Sequence, residues 1–379
     1  NNTVVDVQTA IDSANKSGDT VDLSNYDVYD FADSGVKVTN DNVILKGNGN
    51  TTILGYGNGN GLIDVTGSNV TIQGIKFIDT NPANNFTYNG TVSGWGVRFF
   101  GVTGGLVDNC AFKDFNTDVR IQKSENVTVQ NSEFTGGYAT KLLNDPTVNK
   151  EDGTKALNIM GSTGLTIVNN RFVGPVLDAV SIASGSGSNV VENNYFEGNC
   201  YAIYFGGAST KGSKLKNNTF VNCGFFKEGD IDWLGLPVIS IQKSSDGISI
   251  EGNTFKAINN NVLIAAEQGN EAHGFPTTID GINITDNTVN KLTDDVIGRT
   301  VTLLHVLCRD NTTINFDAVF TLENNTLDEG VKDSVLWYSA WGDEAEVKLP
   351  GNNTASDVQA AIDAAKPGDV IDLAKYDKY

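Results

Sequence analysis

Glycoside cleavage by carboxylates needs two acids ~5 to 9.5 Å apart across one bond, with one of them held as an acid. The chain carries fragments of that chemistry: Asn116-Thr117-Asp118, the run RIQK from Arg120 to Lys123, the pair Asp294 and Asp295, and Ala272-His273-Gly274. Its two histidines, His273 and His305, have no Ser or Cys nucleophile motif around them. Asp178 in VLDAVSI, with Asp230 and Asp232 in KEGDID, is the nearest material for a calcium-dependent lyase, which also needs an arginine base. Which of these groups can meet depends on how the chain is wound.

Composition narrows the winding. The chain has 379 residues with 46 acids against 26 bases, a net charge of -20, and no clustered Lys and Arg of the kind that neutralises phosphates, so nucleic acid is excluded as a partner. The 41 glycines and 7 prolines, with recurrent Asn, Thr and Val, suit short strands joined by tight turns. There is no run of about 18 apolar residues to span a membrane. A chain that begins at Asn1 is expected to be a processed or excised segment. No cofactor is expected. A structural calcium ion is an open alternative in so acidic a chain, although neither an EF-hand loop nor a Gly-Gly-x-Gly-x-Asp repeat is present.

One pattern recurs nine times, ending at Phe77, Phe112, Phe134, Phe172, Phe196, Phe220, Phe255, Val289 and Leu327. The successive spacings are 35, 22, 38, 24, 24, 35, 34 and 38 residues, a base period of 22 to 24 with insertions in the longer gaps. Each unit, as in NVTVQNSEFTG, reads as strand, Asn or Gly turn, strand, with Val, Ile and Phe at period two. The leucine consensus of a leucine-rich repeat is missing. The pattern predicts an all-β fold: a right-handed parallel β-helix solenoid with coils ~4.8 Å apart, an N-terminal amphipathic capping helix and loop insertions. The repeated Asn is assigned to structure, because Asn tolerates left-handed turns and stacked amides hydrogen-bond from coil to coil. Cys200 and Cys223, about one period apart, are predicted to meet on adjacent coils as buried thiols or as one disulfide.

Function is then expected where the period breaks. Four insertions stand out: Thr80 to Gly96, Thr135 to Ala156, Phe225 to Pro237 and Ala266 to Thr278. They hold Tyr88, Trp95, Asp230, Asp232 and Trp233, a mixture of rings and acids that suits a ligand-binding loop. Among the many Asn-x-Ser/Thr sequons, Asn85 and Asn89 lie in an insertion and are the candidate glycan attachment sites. The winding also separates the catalytic fragments. Asp118 and Asp294 are 176 residues apart, about six coils, or on the order of 30 Å at ~4.8 Å per coil. On that spacing the chain is expected not to be an enzyme.

The phrases DVQTAIDSANKSGDTVDL, NVILKGNGNTTILG, NVTIQGIKFIDT, LDAVSIASGSGSN, NCYAIYFGGAST and EQGNEAHGFP, taken together, resemble the adhesin-like β-helix surface proteins of methanogenic archaea. The resemblance implies an extracellular location at the cell surface or envelope, a modular architecture, and a role in the envelope or in attachment. It transfers no catalytic or binding residue. Two functions follow: a structural envelope subunit of a surface layer, sheath or filament, assembling with itself head to tail or laterally, or an adhesin that binds glycan or cell-wall polymer through its insertion loops.

The end of the chain repeats its beginning. DVQAAIDAAKPGDVIDL, from Asp357, matches DVQTAIDSANKSGDTVDL, from Asp6, and places Val358, Ala361, Ile362 and Ala365 on the same helical face as Val7, Ala10, Ile11 and Ala14. Three segments are therefore expected: 1–30, the cap helix and first strand; 31–350, the β-helix; and 351–379, a copy of the cap that begins a second unit or forms a junction. A head-to-tail contact that does not close would make a filament.

Overall fold

The computed structural model describes residues 3–14, 18–56, 61–80, 94–136, 154–174, 176–206, 210–228, 231–234, 237–242, 245–257, 262–268, 279–291, 301–309, 314–339 and 346–348. Its strands wind into a parallel β-helix. A single coil runs through three strands, as in Thr117–Gln122, Glu125–Gln130 and Glu133–Thr135, and each strand pairs in parallel with its counterpart one coil away. Repetition of the first strand builds a twelve-stranded sheet, and the other two share a twenty-stranded one. Side chains alternate across each strand, so one set is enclosed and the next faces out. Val97, Val119, Leu157, Val180 and Ile203 are enclosed, as are Phe99, Ile121, Ile159, Ile182 and Phe205.

The repeated pattern resolves into three jobs at fixed positions. Its first residue takes a left-handed backbone: Asn109, Asn131, Asn169, Asn193 and Asn217 have φ of 50 to 57°, and Gly74 and Gly252 take the same corner elsewhere. The next residue points inward, and from Asn170 onward it is an asparagine, buried from Asn170 to Asn287 and half-buried at Asn325. Asn218 Nδ2 donates to Asn253 Oδ1 at 3.0 Å and to the Val191 carbonyl at 2.8 Å, while its Oδ1 accepts from Asn194 Nδ2 and from the Asn194 backbone N–H, both at 3.0 Å. The same bonds link Asn170, Asn194, Asn253, Asn287 and Asn325. Two residues further on, Phe77, Phe112, Phe134, Phe172, Phe196, Phe220 and Phe255 stack face to face, with successive centroids 4.8 to 5.1 Å apart. A serine ladder, Ser124, Ser162 and Ser186, does the same service at another corner, each hydroxyl accepting from a backbone N–H one coil back.

The first coil is covered by the helix Val4–Ser13, capped by Thr3, whose hydroxyl accepts from the Asp6 N–H. Val7, Ile11 and Ala14 are buried, whereas Ala10 is exposed at the margin of the stripe. Gln8 closes the edge strand Val36–Val38: its amide donates to the Lys37 carbonyl at 3.0 Å and accepts from the Lys37 N–H at 2.8 Å, as a neighbouring strand would. At the other end, Glu346–Lys348 pairs antiparallel with Lys332–Ser339, which ends the parallel run of that sheet.

Asn218→Ala would take from the Asn194 backbone N–H and the Val191 carbonyl the side-chain partner they have here, and would remove one of several bonds from Asn194 Nδ2 and from Asn253 Oδ1. It is expected to cost on the order of 3 kcal/mol of stability in a denaturant melt. A loss below 1 kcal/mol would show that the amide ladder is not what ties the coils.

Candidate ligand-binding face

Because the enclosed positions are fixed, the outward residues of the twelve-stranded sheet fall into columns. One column reads Trp95, Thr117, Lys155, Asp178, Tyr201. A second reads Asp64, Arg98, Arg120, Asn158, Ser181, Tyr204, Ser240. A third begins Phe100, Gln122, Met160. From the Trp95 strand to the Tyr201 strand is four steps, ~19 Å at ~4.8 Å per step. Most of these side chains are half-buried, and Asp64, Thr117, Asp178, Ser181 and Ser240 are buried.

One end of this face is cationic and aromatic. The Arg120 guanidinium lies over the Trp95 ring at 4.4 Å, and that of Arg98 lies 5.5 Å from the same ring. Arg98 is neutralised by a two-pronged pair with Asp64, both bonds 2.7 Å. Arg120 donates to the Met160 sulfur at 3.4 Å, and its buried Nε lacks a hydrogen-bond acceptor. Burial, and then the charge of Arg98, lower the Arg120 pKa. Lys123 stands 5.7 Å from the Phe100 ring. In the middle, Lys155 pairs with Asp178 at 3.0 Å. At the far end Tyr201 and Tyr204 meet edge to face at 5.8 Å, and the Tyr204 hydroxyl donates to Gln242 Oε1 at 2.9 Å. Burial, followed by the charge of Asp178, raises the Tyr201 pKa, which keeps its hydroxyl protonated.

The sequence-based candidates are distributed differently. Trp95 is the first residue of a core strand rather than part of a loop, because Val97 and Phe99 beyond it fill the interior and fix the strand's register. Phe225–Glu228 and Ile231–Leu234 pair as an antiparallel hairpin whose register sets Phe226 against Trp233 and Lys227 against Asp232. Asn85, Tyr88, Asn89, Asp230, Val358, Ile362 and Ala365 lie outside the described residues, as do most of three of the four insertions. Cys200 and Cys223 are buried free thiols in place of a disulfide, and burial pushes both up to about 12, so neither is a thiolate at neutral pH. Among the described residues no three of His, Cys, Asp and Glu gather as a metal site. Asp118, between Thr117 and Val119, is buried away from the outward face. Arg98, Lys155, Tyr201 and Tyr204 were not among the candidates, and Arg120 was singled out only as the start of the RIQK fragment. The signal that would have found them is the alignment of WGVRFF, TDVRIQ, KALNIM, DAVSIA and YAIYFG on their shared alternation.

The geometry defines a right-handed parallel β-helix with a lined outer face. Residues 1–227 match the family described as Right handed beta helix region, and the chain belongs to that family. No curated protein matches the chain. Among solved structures it is similar to PfbA, a surface adhesin of Streptococcus pneumoniae, at 16% identity and TM-score 0.65, over 93% of this chain and 95% of that one. It is also similar to the endo-xylogalacturonan hydrolase of Aspergillus tubingensis, at 11% identity and TM-score 0.57, over 85% and 89%. A third is the A-module of the mannuronan C-5 epimerase AlgE6 of Azotobacter vinelandii, at 13% identity and TM-score 0.52, over 90% and 95%. At these identities the likeness is one of fold.

The expectation that the chain is not an enzyme is corrected by these neighbours. The same fold serves a hydrolase and an epimerase as well as an adhesin. The separation of Asp118 from Asp294 had excluded one pair of carboxylates, not the columns of a single face.

Asp118 has its own consequence. Burial, then the charges of Asp114 and Asp79, raise its pKa well above the usual carboxylate range, and its Oδ1 has no hydrogen-bond donor. The folded state thus holds a proton that the unfolded chain sheds above a pH of about 4, so this group makes the protein less stable as pH rises from there. Asp118→Asn is expected to melt higher than wild type at pH 7, with the gain vanishing toward a pH of about 4. Equal melting temperatures at pH 7 would contradict a buried neutral acid.

Proposed function

We propose that this protein is a cell-surface carbohydrate-binding β-helix, of the adhesin-like kind that its resemblance to methanogen surface proteins implies, and that it holds a glycan chain along the columns from Trp95 to Tyr204. The observation that carries this is the lining of that face: a tryptophan stacked with arginine at one end, two tyrosines at the other, and Lys155, Asn158 and Asp178 between them. Sugar rings offer apolar C–H faces to aromatic side chains and hydroxyls to amides and charges, so such a lining suits both parts of a glycan. A run of ~19 Å gives several rings in line room to lie along the rod. The likeness in fold to an adhesin supports the reading without supplying a ligand.

A second reading belongs to the same face. Lys155, Asp178 and Tyr201 sit on three adjacent strands of one column, with the Lys155–Asp178 pair at 3.0 Å, which places an amine, a carboxyl group and a phenol where a bound glycan would pass.

The test is retention on a panel of immobilised polysaccharides, with product analysis of each bound polymer. Wild type is expected to bind at least one polymer, and Trp95→Ala and Tyr204→Ala to bind it at least tenfold more weakly while melting cooperatively. Unchanged binding in both variants, or no binding across the panel, would remove the proposal. New chain ends or epimerised sugars that disappear in Asp178→Asn would establish the second reading.

A further inference from the structure

The charge on this face runs against the charge of the molecule. The chain carries -20 overall, yet the end of the face around Trp95 and Phe100 brings together Arg98, Arg120 and Lys123. One acid, Asp64, answers them, and both of its oxygens are taken by Arg98. Among the described residues neither Arg120 nor Lys123 has a carboxylate partner. For Arg120 this is costly, since its guanidinium is partly buried, its Nε lacks an acceptor, and its hydrogen bond within the described residues is to a thioether sulfur, a weak acceptor. Trp95 holds the fork in place from one side, which leaves it oriented in advance for an oxyanion with two oxygens to present.

Resting on the glycan-binding reading, we infer that the ligand is an anionic glycan and that Arg120, flanked by Lys123, is the receptor for its oxyanion, a carboxylate or a sulfate ester. The missing counter-ion of the fold would then be brought by the ligand. Neighbouring Asn158, next along the same column and half-buried, is placed to receive a hydroxyl of the following sugar.

Affinity electrophoresis of the intact chain through gels containing polygalacturonate, dextran sulfate or neutral dextran tests this. At least one of the two polyanions is expected to retard wild type at least tenfold more strongly than neutral dextran, despite the repulsion from the protein's net charge, and added salt should weaken the effect. Whichever polyanion is preferred identifies carboxylate or sulfate as the group bound. Arg120→Gln is expected to lose at least tenfold in that affinity, and Arg120→Lys, which keeps the charge but not the fork, to fall between. If neutral dextran or another neutral glycan binds as tightly as the polyanions, or if folded Arg120→Gln keeps its polyanion affinity, the anionic assignment falls and the glycan-binding reading stands. If no glycan binds, both fall. Should Arg120→Gln fail to fold, the polyanion-to-neutral ratio of wild type and its salt dependence decide.

Discussion

The stacked amides at the inward corner are what the rest of the molecule depends on. A parallel coil has no hairpin to set its register, and a slip of one residue would turn every enclosed side chain outward. Each buried asparagine prevents that slip. Its oxygen accepts from both the backbone and the side chain of one neighbour, and its nitrogen reaches the next neighbour's oxygen and a strand carbonyl. An amide displaced along its strand would leave those groups buried without partners, each at a cost of about 1 to 3 kcal/mol. The phenylalanine stack two residues away adds apolar area in the same register, each ring on the last at about van der Waals separation.

A core locked in this way has a geometric consequence for the exterior. With the enclosed residues of successive strands aligned, the outward residues are aligned as well, so a binding face is assembled from single substitutions at one position of each coil. Trp95 and Lys155 lie two rungs apart along the rod, ~9.6 Å at ~4.8 Å per step, although 60 positions of sequence separate them. The coils provide a ruler of fixed spacing, which suits an extended polymer better than a compact small molecule. That is also why one fold is found in a surface adhesin, a hydrolase and an epimerase: the ruler is shared, and the outward residues differ.

Electrostatics at this face is local. The summed charge of the chain bears on a partner that needs a broad basic surface. It says nothing about a few angstroms where Arg98 is matched by Asp64 and Arg120 is not. On a half-buried face the nearest charges dominate, and distant surface acids are screened within about 10 Å.

The repeat, its period and the left-handed turn were legible in the sequence because they are local. Asn followed by a strand, with Phe at a fixed offset, states a turn and an inward ring within six residues, and recurrence of the unit states a solenoid. The capping helix was legible for the same reason, through Val7, Ile11 and Ala14 at helical spacing, although the exposure of Ala10 was not. Tertiary structure alone decided which of two adjacent asparagines, Asn169 or Asn170, turns the chain and which one ties the coils. It alone brought Asp64 to Arg98, Trp95 to Arg120, and Tyr204 to Gln242, pairs separated by 34, 25 and 38 residues. The reason is physical: the sequence fixes the alternation within each strand, but the partner across the rungs depends on how many residues each insertion removes from the coil, and that is settled only when the core closes.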